Sequence, residues 1–207
     1  GRLIIDGNIT FPWTDDTKGI EGWTIAGVPP CPIQGLQDDS EGFHIHADMQ
    51  GDVPHVCEGS HFQTDDGSIY MLLRNTAVKS ASEKYLYLAR SFDNGETYTE
   101  PEKLPFTDNC SKFYCMKLKN GKYAVIGNPD QKGDRCPLSV LLSEDAENFE
   151  TRYDIATREI PRKFDGMYKG GIYGYPHAIE AGGNIHVICS INKEDIHVFT
   201  FSAADLT

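Results

Sequence analysis

Apolar and polar positions alternate with a period of two over short runs, and Gly, Asn and Asp turns separate the runs. The clearest case lies between Cys57 and Tyr98. There the pattern predicts strands over 60–63, 69–74 and 85–90, with turns at Asp65-Asp66-Gly67 and Asp93-Asn94-Gly95. The same grammar recurs downstream. Runs over 113–117, 123–127 and 138–142 enclose an Asn120-Gly121 turn, and runs over 176–180, 185–189 and 196–201 enclose Gly182-Gly183-Asn184. Upstream, 3–5 and 23–28 read as strands, and Pro29-Pro30-Cys31-Pro32 and 38–42 read as loops. No stretch of three turns carries an i, i+3, i+4 apolar face with caps, so the chain reads as all-β.

The runs form an internal repeat. Ser91 opens Ser-Phe-Asp-Asn-Gly-Glu-Thr-Tyr98, and 52 residues later Ser143 opens the related Ser-Glu-Asp-Ala-Glu-Asn-Phe149, in which the glycine position is filled by Ala146 or Glu147. About 50 residues is the length of one four-stranded propeller blade. In the complete copy the carboxylate of Asp93 can bond nearby backbone amides, Gly95 supplies the positive φ of the turn, and Tyr98 folds back over the hairpin.

This Ser-x-Asp-x-Gly-x-x-aromatic stretch is an Asp-box, and with the repeat it resembles the sialidase (neuraminidase) superfamily of BNR-repeat β-propellers. The resemblance implies a six-bladed propeller in which the Asp-box caps the hairpin between the third and fourth strands of a blade. About four blades fit in 207 residues, so residues 1–207 are expected to be the C-terminal portion of such a domain. The remaining N-terminal blades would then be missing from this chain or supplied by a second one, because an open array leaves raw sheet edges.

Composition narrows the partners. The formal charge of −12 argues against nucleic acid, whose binding relies on a basic face; an anionic ligand needs a local arginine cluster. No apolar run approaches the roughly 20 residues of a membrane span. Cys31, Cys57, Cys110, Cys115, Cys136 and Cys189 lack metal-site spacing and are read as free, mostly buried thiols. His44 and His46 share one strand face near Asp48. With no third ligand at a recognisable spacing they are read as a polar strand face or cleft lining, so no metal and no cofactor is expected.

The resemblance also nominates site residues. Glu58 through Arg74 resembles the family's Glu…Asp-Gly…Arg stretch, and Arg135-Cys-Pro-Leu-Ser-Val-Leu-Leu-Ser-Glu-Asp145 its Arg-x-x-Leu-x-Val-x-x-Ser-x-Asp. Tyr173-Gly-Tyr175-Pro-His177-Ala-Ile-Glu180 resembles the segment that carries the nucleophile, with Pro176-His177-Ala178 where Ser-Asp-Leu is usual. By this resemblance Tyr175 is the nucleophile, Glu58 its base, and Arg74 and Arg135 hold a substrate carboxylate. The chemistry is coherent: a neutral phenol approaches a carboxylate-bearing carbon without like-charge repulsion, and a neighbouring carboxylate takes its proton. Sialidases are the tyrosine exception among glycosidases. The first triad arginine and the acid/base aspartate have no motif in residues 1–50.

Structural roles stand beside these. Arg74 can simply pair with Glu58 or an acidic loop, Arg135 can be a loop charge, and Tyr175 can be a core aromatic. Tyr168 and Tyr173 compete for any tyrosine role, whereas Arg90 and Asp93 read as structural. The expected activity is an exo-glycoside hydrolase that removes a terminal acidic sugar, sialic acid, from glycans. One alternative is a propeller acting on another acidic glycan, such as a uronic-acid polysaccharide, with His44, His46, His177 and Tyr175 as lyase acid/base groups or metal ligands. A non-catalytic glycan-binding propeller is the other. By the same resemblance the protein is expected to be secreted or periplasmic.

Overall fold

A computed structural model describes residues 2–4, 10–27, 56–75, 84–132, 134–166 and 169–207. Strands β1 (Leu3–Ile4), β2 (Thr10–Thr14) and β3 (Thr24–Gly27) form a first antiparallel sheet. A second contains β4 (Val56–Gln63), β5 (Ile69–Asn75), β6 (Tyr85–Ser91) and β7 (Glu102–Thr107). The third holds β8 (Tyr114–Lys117), β9 (Tyr123–Gly127), β10 (Leu138–Ser143) and β11 (Thr151–Ala156). The fourth holds β12 (Tyr173–Ala181), β13 (Asn184–Ile191) and β14 (Asp195–Ser202), followed by a turn of 3-10 helix at Ala203–Asp205. Each sheet is an up-and-down meander whose strands are hydrogen-bonded in sequence order.

The core lies between sheets. Phe11 and Ala26 of the first sheet pack on Val56, Met71 and Leu73 of the second. Phe62, Leu72 and Leu88 meet Phe113, Val125 and Leu141 of the third, and Ile126, Val140 and Leu142 there meet Ala178, Val187 and Ile191 of the fourth. Because β9 and β10 are covered on both faces, every one of their residues is buried. Their apolar runs are therefore continuous instead of alternating. Each fully buried Leu, Ile or Phe contributes about 1.5–3 kcal/mol. Four meanders stacked face to face in chain order make this part of a β-propeller, with β4, β8 and β12 as the innermost strands of the three later sheets.

The Ser91–Tyr98 turn has the geometry its residues predict. Asp93 accepts from the backbone N–H of Glu96 and Thr97, Ser91 Oγ accepts from Gly95 N, and Gly95 has φ +90°. Tyr98 is buried edge-on against Phe11, 5.1 Å between ring centres. In the Ser143 copy Asp145 accepts from Glu147 N and Asn148 N, one residue earlier than its counterpart, and Ala146 takes the positive φ. The turn is thus one residue shorter, which resolves the glycine position in favour of Ala146. A third turn of this design joins β2 to β3: Asp16 accepts from Lys18 N and Ile20 N. Arg2 ties this turn to the Ser91 turn, bonding Asp15 with Nε and Nη2 and reaching Asn94 O and Glu96 with Nη1.

Three strands were not foreseen from the pattern: β2, β7 and β11. β2 and β7 contain Pro12 and Pro105, which argue against a strand reading, and β7 and β11 are outermost strands with largely exposed residues. Cys57, Cys115 and Cys189 are buried, and Cys110 and Cys136 are half-buried, with no disulfide among the described residues. Cys31 and His44, His46 and Asp48 lie outside the described residues. Among the described residues, no helix is long and apolar enough to cross a membrane.

Candidate functional site

All the turns just described lie at one end of the sheets. The opposite end is the mouth, and there the ladders of β4 and β12 are interrupted in the same way. In the second sheet Cys57 pairs with Arg74 and Ser60 with Leu72, so Glu58 and Gly59 together face one residue of β5. In the fourth sheet Gly174 pairs with Ser190 and His177 with Ile188, so Tyr175 and Pro176 together face one residue of β13. These are β-bulges, and each begins with a non-glycine residue in the left-handed region: Glu58 at φ +44° and Tyr175 at φ +54°. Pro176, with no N–H to donate, suits the unpaired second position. Gly59 suits it for a different reason: a Cβ there would lie 2.7 Å from Met71 Sδ and 3.2 Å from the Phe11 ring. No register shift interrupts the pairing of β8 with β9.

The bulge turns Glu58 toward Arg74, and Arg74 Nη1 donates to Glu58 Oε2. Arg74 Nε donates to the Cys110 carbonyl at 2.8 Å. Burial pulls the guanidinium down, but the hydrogen bond and charge of Glu58 outweigh it and hold it above its ordinary value. Cys110 is itself at φ +63°, in a turn held by the buried carboxyl of Asp108, whose Oδ2 accepts from Cys110 N at 2.6 Å and Ser111 N at 3.3 Å. Burial pushes that carboxyl up to about 7 against the pull of these N–H groups. Lys112 donates to the carbonyls of Glu58 and Gly59, fixing the bulge to the strand entering the third sheet.

A second pair sits on the fourth sheet. The Arg135 guanidinium lies 5.6 Å from the centre of the Tyr175 ring, and Lys193 Nζ lies at the same distance. Arg135 is at φ +55° in the β9–β10 connection, and its carbonyl accepts from Tyr173 N and from Asn128 Nδ2. Its stem runs over Gly171, where a Cβ would come within 2.5 Å of Cγ, and Nη1 lies over Gly174. The two pairs are linked through buried Asn128, whose carbonyl accepts from Asn109 N and whose Oδ1 accepts from Ser111 Oγ. Glu58, Arg74, Arg135 and Tyr175 therefore all stand at the mouth end of neighbouring sheets.

The structure brings together Glu58 with Arg74 and Arg135 with Tyr175. Glu58 does not hydrogen-bond Tyr175 among the described residues; its Oε2 is taken by Arg74 and its Oε1 carries no such bond. Tyr175 is 44% exposed, not a core aromatic. The competitor Tyr173 is the core aromatic, its hydroxyl donating to Arg158 O at 2.7 Å; Tyr168 lies outside the described residues. Arg90 is structural, paired with Glu102 and Glu147 at 2.8 Å each. His177 stacks on Tyr114 with 3.9 Å between ring centres. Among the described residues, no three His, Cys, Asp or Glu side chains gather as a metal would need. Sequence reasoning missed Lys193, Cys110 and Asp108, which lie in turns where no motif marks them.

Comparison with known proteins agrees with this architecture. The model of the BNR repeat-like domain matches residues 13–187, and no curated protein matches the chain in sequence. The fold is similar to the intramolecular trans-sialidase from Ruminococcus gnavus, solved with oseltamivir carboxylate, at 16% identity and TM-score 0.63 over 99% of this chain and 41% of that one. It is similar to the leech intramolecular trans-sialidase at 14% identity and TM-score 0.65, over 100% and 30%. A xylan β-1,4-xylosidase from Bacillus halodurans gives 12% identity and TM-score 0.58 over 99% and 38%. The chain thus spans less than half the length of each, and at these identities the likeness is one of fold. The likeness in fold is to β-propellers, and with the matched domain covering most of its length, the chain belongs to the BNR repeat-like domain family.

Proposed function

We propose that this chain is part of an exo-acting glycoside hydrolase of the sialidase type, which removes a terminal acidic sugar, sialic acid, from glycans. Tyr175 attacks the anomeric carbon as Glu58 takes the phenol proton and the glycosidic bond breaks, the leaving oxygen taking a proton from an acid/base aspartate. Water then displaces Tyr175, Glu58 returns its proton to the phenol, and Arg74 and Arg135 grip the sugar's carboxylate throughout by charge-assisted hydrogen bonds. The carrying observation is that Glu58 and Tyr175 begin equivalent bulges, each in strained left-handed backbone at the mouth. Such strain costs about 1–3 kcal/mol per residue and gathers at functional sites. Glu58 Oε2 steadies Arg74, which leaves Oε1 for the phenol. An acid/base aspartate and a further arginine are also needed, carried on the remaining blades of the propeller. The substrate lies outside the cell, so the protein is secreted or periplasmic. With a net charge of −12, a small arginine pocket suits one acidic sugar better than a nucleic acid.

Solved relatives of this fold include sialic-acid enzymes and a xylosidase; the two mouth arginines favour an acidic sugar over a neutral one. The test is turnover of 4-methylumbelliferyl N-acetylneuraminide beside the corresponding xyloside and galactoside. Sialoside cleavage alone, lowered at least about 100-fold in Tyr175→Phe and Glu58→Gln, is expected. Cleavage that survives both substitutions overturns the assignment. An unsaturated, ultraviolet-absorbing product from a uronate polymer replaces it with a lyase, and ligand binding without turnover replaces it with a glycan-binding propeller.

A further inference from the structure

Lys193 stands out at the mouth on two counts. It occupies the β13–β14 turn, where Glu194 N donates to Ile191 O at 2.9 Å and Asn192 and Lys193 hold φ +53° and +57°. Two successive positive φ values closed by that bond are the arrangement of a type I′ turn, whose second central position ordinarily takes glycine. A lysine there is a backbone cost without a folding benefit. The turn is nevertheless fixed. Asn192, buried, donates from its backbone to Ile172 O at 2.8 Å and from Nδ2 to Ile160 O at 2.9 Å, and Lys193 N donates to Ser190 Oγ.

The second count is electrostatic. Neighbouring lysines are neutralised: Lys169 pairs with Glu194 at 2.8 Å and Lys163 with Asp195 at 2.5 Å. Lys193 is exposed, and neither it nor Arg135 has an ion-pair partner among the described residues. Both cations instead lie 5.6 Å from the centre of the Tyr175 ring. In a chain of net charge −12, two uncompensated cations on one exposed aromatic ring, carried by rigid strained turns, form a place for an anion.

We propose that Lys193 is a specificity-determining residue of the mouth, binding together with Arg135 the anionic group of the ligand beside Tyr175. This rests on the reading of the mouth as an acidic-sugar site and adds to it a residue that no motif nominates. Its ammonium, on a flexible stem, supplies a point charge where Arg135 supplies a planar fork.

The test is titration calorimetry of the whole chain with N-acetylneuraminic acid and with its methyl ester, for the unsubstituted protein, Lys193→Gln, Lys193→Gly and Arg135→Gln. Lys193→Gly keeps the fold intact because glycine suits the turn, so its unfolding midpoint is expected to equal or exceed that of the parent. Both Lys193 variants are expected to bind the acid about tenfold more weakly, and the ester as the parent does. If Arg135→Gln loses the acid while both Lys193 variants bind it normally, Lys193 is a bystander and the proposal falls while the site reading stands. If the parent binds acid and ester equally, the acidic-sugar reading falls and takes this proposal with it.

Discussion

Glu58 and Tyr175 occupy the same position in their sheets: each is the first residue of a two-residue bulge near the mouth end of the innermost strand, at φ +44° and +54°. A bulge of this kind re-aims one side chain and ordinarily has glycine where the φ is positive. On the proposed reading, fold and function therefore compete at these residues. The competition is cleanest at Tyr175, which is well exposed and contributes little packing. Tyr175→Gly is expected to leave the protein as stable as before or up to about 1 kcal/mol more stable, while sialoside turnover disappears. Urea midpoints measured beside turnover decide the point; a marked loss of stability would show that the ring is structural.

Gly171 holds Arg135 in place by having no side chain. Its φ is +83°, and a Cβ would sit 2.5–2.8 Å from Cγ, Cδ and Cβ of Arg135. Gly171→Ala is expected to push the guanidinium away from Tyr175 and weaken binding of an acidic sugar roughly tenfold, since a misplaced charge-assisted hydrogen bond loses on the order of 1.5 kcal/mol. Far-ultraviolet circular dichroism should stay that of the parent. Unchanged affinity in a folded Gly171→Ala variant would mean that Arg135 does not meet the ligand.

Legibility in the sequence followed burial. Inner and middle strands such as β5, β6 and β9 were readable because their residues alternate or run apolar between turn residues. The outermost strands β7 and β11 were not, because a strand exposed along one edge needs no apolar pattern and β7 tolerates Pro105. The four candidate site residues were nominated only through resemblance; the bulges were not read, although Gly59 and Pro176 are residue types that mark a place where a ladder gains a residue. Lys193 and Asp108 were invisible because their importance comes from what lies next to them in space. Arg2, read only as part of an opening strand, turned out to join two turns far apart in the chain.

That joint can be measured. The Arg2 guanidinium bonds Asp15 at 2.8 and 2.9 Å, reaches the Asn94 carbonyl at 2.8 Å, and stacks 3.5 Å from the centre of the Trp13 ring. Its carboxylate partners are largely exposed, so solvent screening keeps the ion pairs small, and much of the value lies in the stack and the carbonyl bond. Arg2→Ala is expected to cost about 1–2 kcal/mol, lowering the melting temperature by roughly 2–8 °C. Arg2→Lys should recover only part of this, because an ammonium makes no bidentate pair. A melting temperature unchanged by Arg2→Ala would show that the first two sheets do not need this tie.

Asp108 sets a pH dependence of unusual sign. Its buried carboxyl is pushed up to about 7 from the ordinary 3.8, so between those values the folded protein holds a proton that the unfolded chain has released. Stability from this group is therefore greatest below about pH 4, falls as pH rises, and levels off above about pH 7, a change on the order of 4 kcal/mol. Asp93, held at about 2 by hydrogen bonds from Thr97, acts in the opposite sense: its contribution is present above about pH 4 and lost as pH falls toward 2. The two windows do not overlap. Asp108→Asn keeps an oxygen to accept from Cys110 N and Ser111 N but cannot ionise, so it should remove the decline between pH 4.5 and 8. Urea midpoints across that range for both proteins provide the comparison. Parallel curves would mean that Asp108 titrates near its ordinary value, with water reaching the turn beneath Arg74.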